Sequence, residues 1–415
     1  MTNSTLAIYG GSPLRKKFLP FHQPFIGEEE IAEVIETLKS GWITTGPRTK
    51  AFEKKFSEYI GCAHAVGLNS CTAALHLSLE VAGIGEDDEV ITTPITFAAT
   101  ANVIVHQKAI PVFVDVEPDT LNINPNLIEE KITPKTKAII PVHLAGHPCD
   151  MDEISVIAKK YGLIVIEDAA HALEAEYRGR KIGKISPFTA FSFYATKNIT
   201  TGEGGMLTIQ DDEMAERVRI LSLHGISRDA WKRYSDEGYR HWEILFAGYK
   251  YNMFDLQAAL GLHQMERIGQ FWEIRKKYVN RYNKAFEEVP EIKPLKIKPE
   301  VKHGYHIYPI LLNLEMLSAD RDQIMNAIQA ENIGIGIHFR AIHLHPFYRN
   351  KFGTSSGTLP VAEDASQRTL SLPLYPKMSE EDLEDVIAVV KKVIGNFRKK
   401  SLFSGCDLQG SKKEG

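Results

Sequence analysis

Short apolar segments rich in β-branched residues alternate with helix-compatible stretches along the first half of the chain. Six of them have the length and composition of buried strands: 65–68, 89–93, 111–116, 138–143, 163–168 and 188–195. Helical patterns lie between them, for example at 72–82 and 151–161, and another precedes the sheet near 28–39. This order predicts an α/β fold with a mostly parallel sheet and right-handed crossovers. Residues 205–210 follow the sixth segment so closely that we expect a seventh, antiparallel strand.

The pattern changes after Asn252. Residues 253–286 are helical and amphipathic, whereas 304–314 and 334–339 have the pattern of strands, so we expect a second, smaller α+β unit. Residues 288–303 contain three prolines among several lysines and are predicted to be a connector. The expected organisation is an N-terminal segment, a large α/β domain, a small C-terminal α+β domain and a flexible tail, at residues 1–40, 41–265, 266–400 and 401–415.

Composition narrows the class of protein. A chain of 415 residues is too long for one ordinary core, and 43% hydrophobic with 25% charged residues is typical of a soluble globular protein. The net charge of -4 provides no general attraction for nucleic acid or an anionic membrane, so a small-molecule substrate is expected. With no leader pattern and no apolar run of about 20 residues, we expect a cytoplasmic protein. Four scattered cysteines support neither a disulfide framework nor a metal site.

Lys197 follows the apolar segment 188–195 and precedes a polar, glycine-rich loop. An arbitrary lysine is most often a solvated surface charge. This one is predicted to lie at the end of a buried strand, as is Asp168 after segment 163–168, and in an open α/β sheet ligands bind beyond the carboxyl ends of the strands. A lysine can form a Schiff base with a carbonyl cofactor, and a carboxylate can hold a pyridinium nitrogen. Together they indicate pyridoxal 5′-phosphate.

The phosphate of that cofactor needs backbone donors at a helix N-terminus. Ser70 and Thr72 flank Cys71 where the helical pattern begins, although an ordinary N-cap has the same sequence. Ser192, five residues before Lys197, is a second candidate phosphate ligand. Phe97 is a candidate for stacking on the pyridine ring, although an isolated phenylalanine is more often part of a core.

These residues carry a family resemblance. The chain resembles the DegT/StrS family of pyridoxal-phosphate-dependent nucleotide-sugar aminotransferases, on motifs that run nearly from end to end: Gly41-Trp-Ile-Thr-Thr-Gly-Pro, Glu167-Asp-Ala-Ala-His, Ser192-Phe-Tyr-Ala-Thr-Lys-Asn and Gly248-Tyr-Lys-Tyr-Asn-Met. The resemblance implies an aspartate-aminotransferase-like fold and a homodimer with active sites at the subunit boundary. It also implies transfer of the amino group of glutamate to a keto sugar.

The resemblance also implies roles for individual residues. Lys197 matches the Schiff-base lysine, Asp168 the partner of the ring nitrogen, and His171 a residue near the cofactor's O3′ or ring face. Asn252 matches a phosphate ligand given by the neighbouring subunit. The remaining cofactor-binding candidates are Ser70, Cys71, Thr72, Ser192 and the stacking residue Phe97. Many relatives have Ser-Gly-Thr where this chain has Ser-Cys-Thr, which puts a glycine-like backbone at Cys71 in doubt.

Within the family, the motifs resemble most the branch that aminates C4 of UDP-linked 4-keto sugars, especially the enzyme that makes UDP-4-amino-4-deoxy-L-arabinose. Such sugars serve surface polysaccharides and lipid A modification. In the motif Gly336-Ile-His-Phe-Arg-Ala-Ile-His, His338, Arg340 and His343 are candidates for binding the sugar or its diphosphate. The period-two spacing of His338 and Arg340 equally describes the polar face of an edge strand. Trp42 either lines the sugar pocket or anchors the N-terminal segment. His143 is expected to be a hydrogen-bonded core histidine.

Other functions remain open at this point. Another keto sugar, such as a 3-keto or 4-keto-6-deoxyhexose on a different nucleotide, fits the same motifs. A non-catalytic cofactor-binding sensor would not need Lys197 and Asp168, and family dehydratases usually replace the lysine. A dinucleotide-dependent oxidoreductase fits the strand–helix alternation, but no G-x-G-x-x-G lies between a first strand and helix. The retained lysine favours transamination.

Overall fold

The computed structural model describes residues 5–227 and 242–399. Its strands, in chain order, are β1 His64–Leu68, β2 Glu89–Thr92, β3 Ile110–Phe113, β4 Thr136–Ile140, β5 Ile164–Asp168, β6 Glu176–Tyr177, β7 Arg180–Lys181, β8 Phe188–Ser192, β9 Gly205–Ile209, β10 Ile292–Pro294, β11 Val301–Lys302, β12 Tyr308–Leu312 and β13 Thr369–Leu372. Its α-helices are α1 Glu28–Lys39, α2 Pro47–Ile60, α3 Cys71–Val81, α4 Ala98–His106, α5 Met151–Tyr161, α6 Asp212–Ser222, α7 Asp255–Glu266, α8 Ile268–Phe286, α9 Arg321–Ala330, α10 Pro346–Phe352, α11 Pro360–Arg368 and α12 Glu380–Phe397.

A seven-stranded sheet in the order β1-β9-β8-β5-β4-β2-β3 forms the centre of the molecule. Only β9 runs against its neighbours: it pairs antiparallel with β1 and with β8, and the other neighbouring pairs are parallel. The strands are buried on both faces because helices cover the sheet from two sides, so they appear in the sequence as continuous apolar runs. The predicted α/β fold, its seven strands and the antiparallel return are confirmed.

The segment predicted as a strand over 188–195 is shorter in the structure. The strand β8 ends at Ser192, and the next N–H, that of Phe193, donates to Gly204 O in the loop before β9. A turn follows in which the Lys197 N–H donates to Tyr194 O at 2.8 Å. The prediction that Lys197 lies directly at a strand end was therefore wrong by one turn, because the chain begins to fold back toward β9 before reaching it.

A second, three-stranded antiparallel sheet, β10-β12-β13, packs with α8, α9 and α12 around its own apolar core. The strand predicted at 334–339 is absent from the described chain. Only single bridges form there, Leu19 with Ile333 and Gly336 with Ser371. The N-terminal segment passes so close that a Cβ on Gly334 would lie 2.5 Å from Phe21 N, and it takes the place of a continuous ladder.

One further prediction is confirmed and another is corrected. Residues 253–286, predicted to be helical, form two helices, α7 and α8, which meet at Arg267, where ψ is -1°. The predicted connector 288–303 contains β10, which joins the second sheet, and β11, which pairs with β6.

The N-terminal residues are tied to the C-terminal half of the chain. Leu6 and Leu19 are buried in the core of the second sheet. Glu331, at the end of α9, accepts hydrogen bonds from the N–H groups of Ala7 and Leu14 at 3.0 and 2.8 Å. The predicted helix α1 is confirmed and packs on α7.

The carboxylate of Asp255, the first residue of α7, caps α2. It is fully buried and accepts from the backbone N–H groups of Gly46, Arg48 and Thr49 and from the Thr49 hydroxyl, at 2.8 to 3.0 Å. These are donors that the first turn of α2 cannot satisfy internally, so the two helices are fixed to each other. None of the helices in the described ranges is long and apolar enough to cross a membrane. The predicted tail, 401–415, lies outside the described residues.

Candidate active site

A cavity of about 660 Å³ opens at the carboxyl ends of β5 and β8. It brings together nine of the residues predicted from the sequence: Ser70, Cys71, Thr72, Phe97, Asp168, His171, Ser192, Lys197 and His338. They come from separate strand ends, a helix N-terminus and the segment after α9, so the fold collects them at the edge of the sheet where ligands are expected.

Asp168, the last residue of β5, is 6% exposed, and both its oxygens are hydrogen-bonded. Thr100 Oγ1 donates to Oδ2 at 2.7 Å, and Ala170 N donates to Oδ1 at 3.1 Å. Burial raises the pKa of this carboxyl, while the Thr100 and Ala170 hydrogen bonds and the charge of Lys197 oppose that shift. The two donors orient the carboxylate and favour its charged form.

Lys197 lies in the same cavity. Burial lowers the pKa of its ammonium group from 10.5 to about 8, and Cys71 and Asp168 counteract the shift. An amine with this pKa is free in a useful fraction of molecules near neutral pH, as both a nucleophile and a general base require.

The loop at residues 70–72 begins α3. Ser70 is the N-cap, and its Oγ accepts from Ala73 N at 3.1 Å. Cys71 is the first helical residue and does not have a positive φ, so the position does not require glycine. The close approach is instead at Gly205, where a Cβ would lie 2.4 Å from Ser70 C. The helix N-terminus remains suited to an anion despite the cysteine.

Four imidazoles border the cavity, and burial lowers the pKa of each. The pKa of His22 falls to about 3 and that of His338 to about 4, and the pKa values of His171 and His306 lie well below the usual range. All four rings are therefore neutral at pH 7. Each can offer one N–H and one lone pair, without a competing positive charge beside Lys197.

Three predicted candidates do not line this cavity. Trp42 is half-exposed, and its Nε1 donates to Thr45 O at 3.0 Å. Arg340 is exposed to solvent. Asn252 donates from Nδ2 to Thr45 Oγ1 at 2.7 Å and accepts from Lys250 Nζ at 2.6 Å. Their predicted roles stay predictions.

His143 is a buried, hydrogen-bonded core residue, as predicted. Its Nε2 lies 2.8 Å from Glu167 Oε2, and its Nδ1 accepts from Cys149 N at 3.0 Å. His343, a substrate candidate with His338 and Arg340, does not line the cavity. It is buried, with its Nε2 3.0 Å from Glu363 Oε1.

Several cavity residues were not predicted. Phe21 and His22 come from an N-terminal segment without periodicity, and Phe21 stacks on the ring of His338 with centroids 5.3 Å apart. His306 was inside a predicted strand, where a single histidine carries little signal. The contact of Thr100 with Asp168 joins the beginning of α4 to the end of β5 and has no sequence signature.

The residues present fit pyridoxal phosphate. The cavity holds a buried amine with a lowered pKa, a hydrogen-bonded carboxylate and a helix N-terminus for the phosphate. Phe97 is 66% exposed at its rim and is available for stacking. In the described ranges, no group of three or more histidine, cysteine or acidic side chains is placed to hold a metal ion.

The chain is similar to known proteins over most of its length. A model of the DegT/DnrJ/EryC1/StrS aminotransferase family matches residues 24–391. An uncharacterized protein of Methanocaldococcus jannaschii is 56% identical over 385 residues, 93% of this chain and 100% of its own length. The spore coat polysaccharide biosynthesis protein SpsC of Bacillus subtilis is 49% identical over 381 residues, covering 92% of this chain and 98% of SpsC.

Among solved structures, the putative sugar aminotransferase Spr1654 of Streptococcus pneumoniae superimposes in its PMP form with a TM-score of 0.86, at 37% identity, over 91% of this chain and 99% of that one. Its PLP form gives a TM-score of 0.84 at 36% identity, with the same coverage of both chains.

Proposed function

The chain belongs to the DegT/DnrJ/EryC1/StrS aminotransferase family, and we propose that it moves the amino group of glutamate to C4 of a UDP-linked 4-keto sugar. It is a pyridoxal-phosphate-dependent sugar aminotransferase with an aspartate-aminotransferase-like fold. The observation that carries the proposal is the convergence of Lys197, Asp168 and the N-terminus of α3 on one cavity.

Different residues of the cavity would bind the cofactor and transfer the proton. Asp168, held by Thr100 and Ala170, would keep a proton on the pyridine nitrogen, and the N-terminus of α3 with Ser192 would hold the phosphate. When bound, the cofactor draws electrons from the carbon that bears the amino group. Lys197 would anchor the cofactor between turnovers, and its freed Nζ would move a proton between the carbon that bears the amino group and C4′ of the cofactor. Because 2-oxoglutarate leaves before the keto sugar binds, ping-pong kinetics are expected.

The choice of a UDP-linked 4-keto sugar rests on the motifs around Trp42, Asn252 and His338. Of these three, His338 lines the cavity, which supports its proposed contact with the substrate. The similarity to SpsC, a spore coat polysaccharide biosynthesis protein, favours a product used in a surface polysaccharide over lipid A modification.

We further propose that the active enzyme is a homodimer with shared sites. Asn252 donates to Thr45 and does not line the cavity of its own chain. Large apolar side chains are exposed at Phe97 and Tyr194, which line the cavity, and at Trp42 and Ile43, which are close in sequence to Thr45. A second copy that covers this surface would also bring its Asn252 to the neighbouring site.

Mass spectrometry of the products tests the substrate. The protein is incubated with pyridoxal phosphate, glutamate and a panel of UDP- and dTDP-linked 3-keto and 4-keto sugars. We expect a 4-amino sugar from a UDP-linked 4-keto substrate, together with 2-oxoglutarate. Amination of only dTDP-linked or 3-keto sugars would replace the substrate and keep the reaction class, whereas no amination of any sugar would refute the function.

A further inference from the structure

Asn198, the residue directly after Lys197, is held in one orientation beneath the cavity. Its amide nitrogen donates to Glu174 Oε2 at 2.5 Å and to Gly304 O at 2.7 Å. The Gly304 carbonyl can only accept, so the amide nitrogen must face it, and the opposite orientation would place oxygen against oxygen. The amide oxygen is left to face His306, with its Oδ1 2.9 Å from His306 Nδ1.

This arrangement fixes the tautomer of His306. Because Asn198 Oδ1 can only accept, His306 Nδ1 must carry the hydrogen. The ring is neutral, since burial lowers its pKa well below the usual range, so Nε2 carries a lone pair. The ring lines the cavity, and in the described part of the chain Nε2 has no hydrogen-bond partner. A hydrogen-bond acceptor is therefore presented to whatever the cavity holds.

The neighbouring imidazole, that of His171, presents a hydrogen-bond donor instead of an acceptor. His171 Nδ1 accepts from Ala145 N at 3.2 Å, so its hydrogen lies on Nε2 and the ring offers a donor. The two rings lie with their centroids 4.3 Å apart. A bound group that meets both rings must give a hydrogen bond to one and receive one from the other, as a hydroxyl group does.

We propose that His306 Nε2 accepts a hydrogen bond from a ring hydroxyl of the sugar substrate and so selects sugars that carry this hydroxyl. The inference rests on the proposed function and adds a specificity-determining residue to it. A neutral acceptor favours O–H and N–H donors, whereas a carboxylate or phosphate has only lone pairs to offer and is disfavoured at this position. Asn198 and Glu174 are positioning residues, because they act through the His306 ring.

The hydrogen bonds that orient His306 are buried, so losing one of them would leave a buried polar group without a partner. Glu174 and Asn198 are almost fully buried, and burial raises the pKa of Glu174 to about 7. Glu174 Oε1 has no partner in the described chain, so the contact through Oε2 is its only side-chain anchor. Without Asn198, the proton of His306 would be free to move to Nε2, and the acceptor would become a donor.

Two variants of His306 test the proposal. In His306→Asn the amide reaches only the position of Nδ1, so the contact with Asn198 can persist while the cavity acceptor is lost; in His306→Gln the amide reaches the position of Nε2. The rate of the sugar half-reaction is measured with the aminated holoenzyme, using the keto sugar and analogues that each lack one ring hydroxyl. The wild-type enzyme should prefer one hydroxyl over its deoxy analogue by about tenfold, the effect of a single hydrogen bond. His306→Asn should abolish that preference, and His306→Gln should keep part of it.

The outcomes separate this inference from the proposed function. If His306→Asn discriminates against every deoxy analogue as strongly as the wild type, the role of His306 is refuted while sugar amination stands. If glutamate releases no 2-oxoglutarate from the wild-type holoenzyme, the aminotransferase function itself fails.

The tautomer is measured independently of activity, by NMR of protein with ¹⁵N-labelled histidine. The wild-type spectrum should assign the hydrogen of His306 to Nδ1, and Asn198→Leu should move it to Nε2 or mix the two forms, with His171 as the unchanged internal control. A wild-type ring protonated on Nε2 would overturn the inference.

Discussion

The lowered pKa of Lys197 leads to a prediction about how the protein takes up its cofactor. Only the free amine can bond to the aldehyde of pyridoxal phosphate, so the rate of uptake by the apo-protein should follow the deprotonated fraction of Lys197. With a pKa of about 8 instead of 10.5, this fraction at pH 7 rises from roughly 0.03% to roughly 9%, or about 300-fold. The charge of Asp168 opposes this shift, so Asp168→Asn should lower the pKa of Lys197 further.

The assay is stopped-flow absorbance of cofactor uptake between pH 5 and about pH 12, with Nα-acetyl-lysine as a solvent-exposed reference. We expect a half-maximal rate near pH 8 for the wild type, near pH 10.5 for the reference, and below the wild-type value for Asp168→Asn. The midpoint of each curve is compared, because the substitution also weakens cofactor binding and lowers the plateau. A wild-type midpoint close to that of the reference would refute the desolvation argument, and a higher midpoint in Asp168→Asn would refute the role of its charge.

Three further predictions concern the anchor, the dimer and the scaffold. Borohydride should fix the cofactor to the peptide that contains Lys197, and Lys197→Ala should fold but lose turnover by several orders of magnitude; mass spectrometry that finds the label on another lysine would contradict this. Mixed dimers of Asn252→Ala and Lys197→Ala should recover about half the activity of a wild-type dimer, since one site then holds both native residues, whereas sites built from one chain would recover nothing. Asp255→Ala should lower the free energy of unfolding by about 3 kcal/mol, because four buried donors at α2 lose their acceptor; a change in urea denaturation below about 0.5 kcal/mol would show that water replaces the carboxylate.

Most of the large sheet could be predicted because its strands are buried on both faces and appear as unbroken apolar runs. The chemistry at its edge followed from the same pattern, since Asp168 and Ser192 are the last residues of their strands. The segment at 334–339 has equally apolar residues but makes only isolated bridges. Its neighbours include the N-terminal segment at Phe21, which lies far away in sequence, so local periodicity held no information about them.

The residues of the site that were not predicted also depend on contacts between segments that are far apart in the sequence. His306 is oriented by its hydrogen bond with Asn198, and Thr100 orients Asp168. The residues of each pair are at least 68 positions apart in the sequence. Their residue types suit a strand or helix interior equally well. A role that depends on which proton an imidazole carries can be recognised only when both of its hydrogen-bond partners are known.

The packing of the N-terminal residues on the second sheet has a consequence for synthesis on the ribosome. Ala7 bonds to a side chain 324 positions later, and Leu6 and Leu19 are buried among residues between Tyr278 and Ile394, which are translated long after them. These apolar residues must stay in solution, or on a chaperone, while most of the chain is made. A nascent chain halted before Glu331 should therefore expose its N-terminal segment to proteases even where the large sheet is already formed.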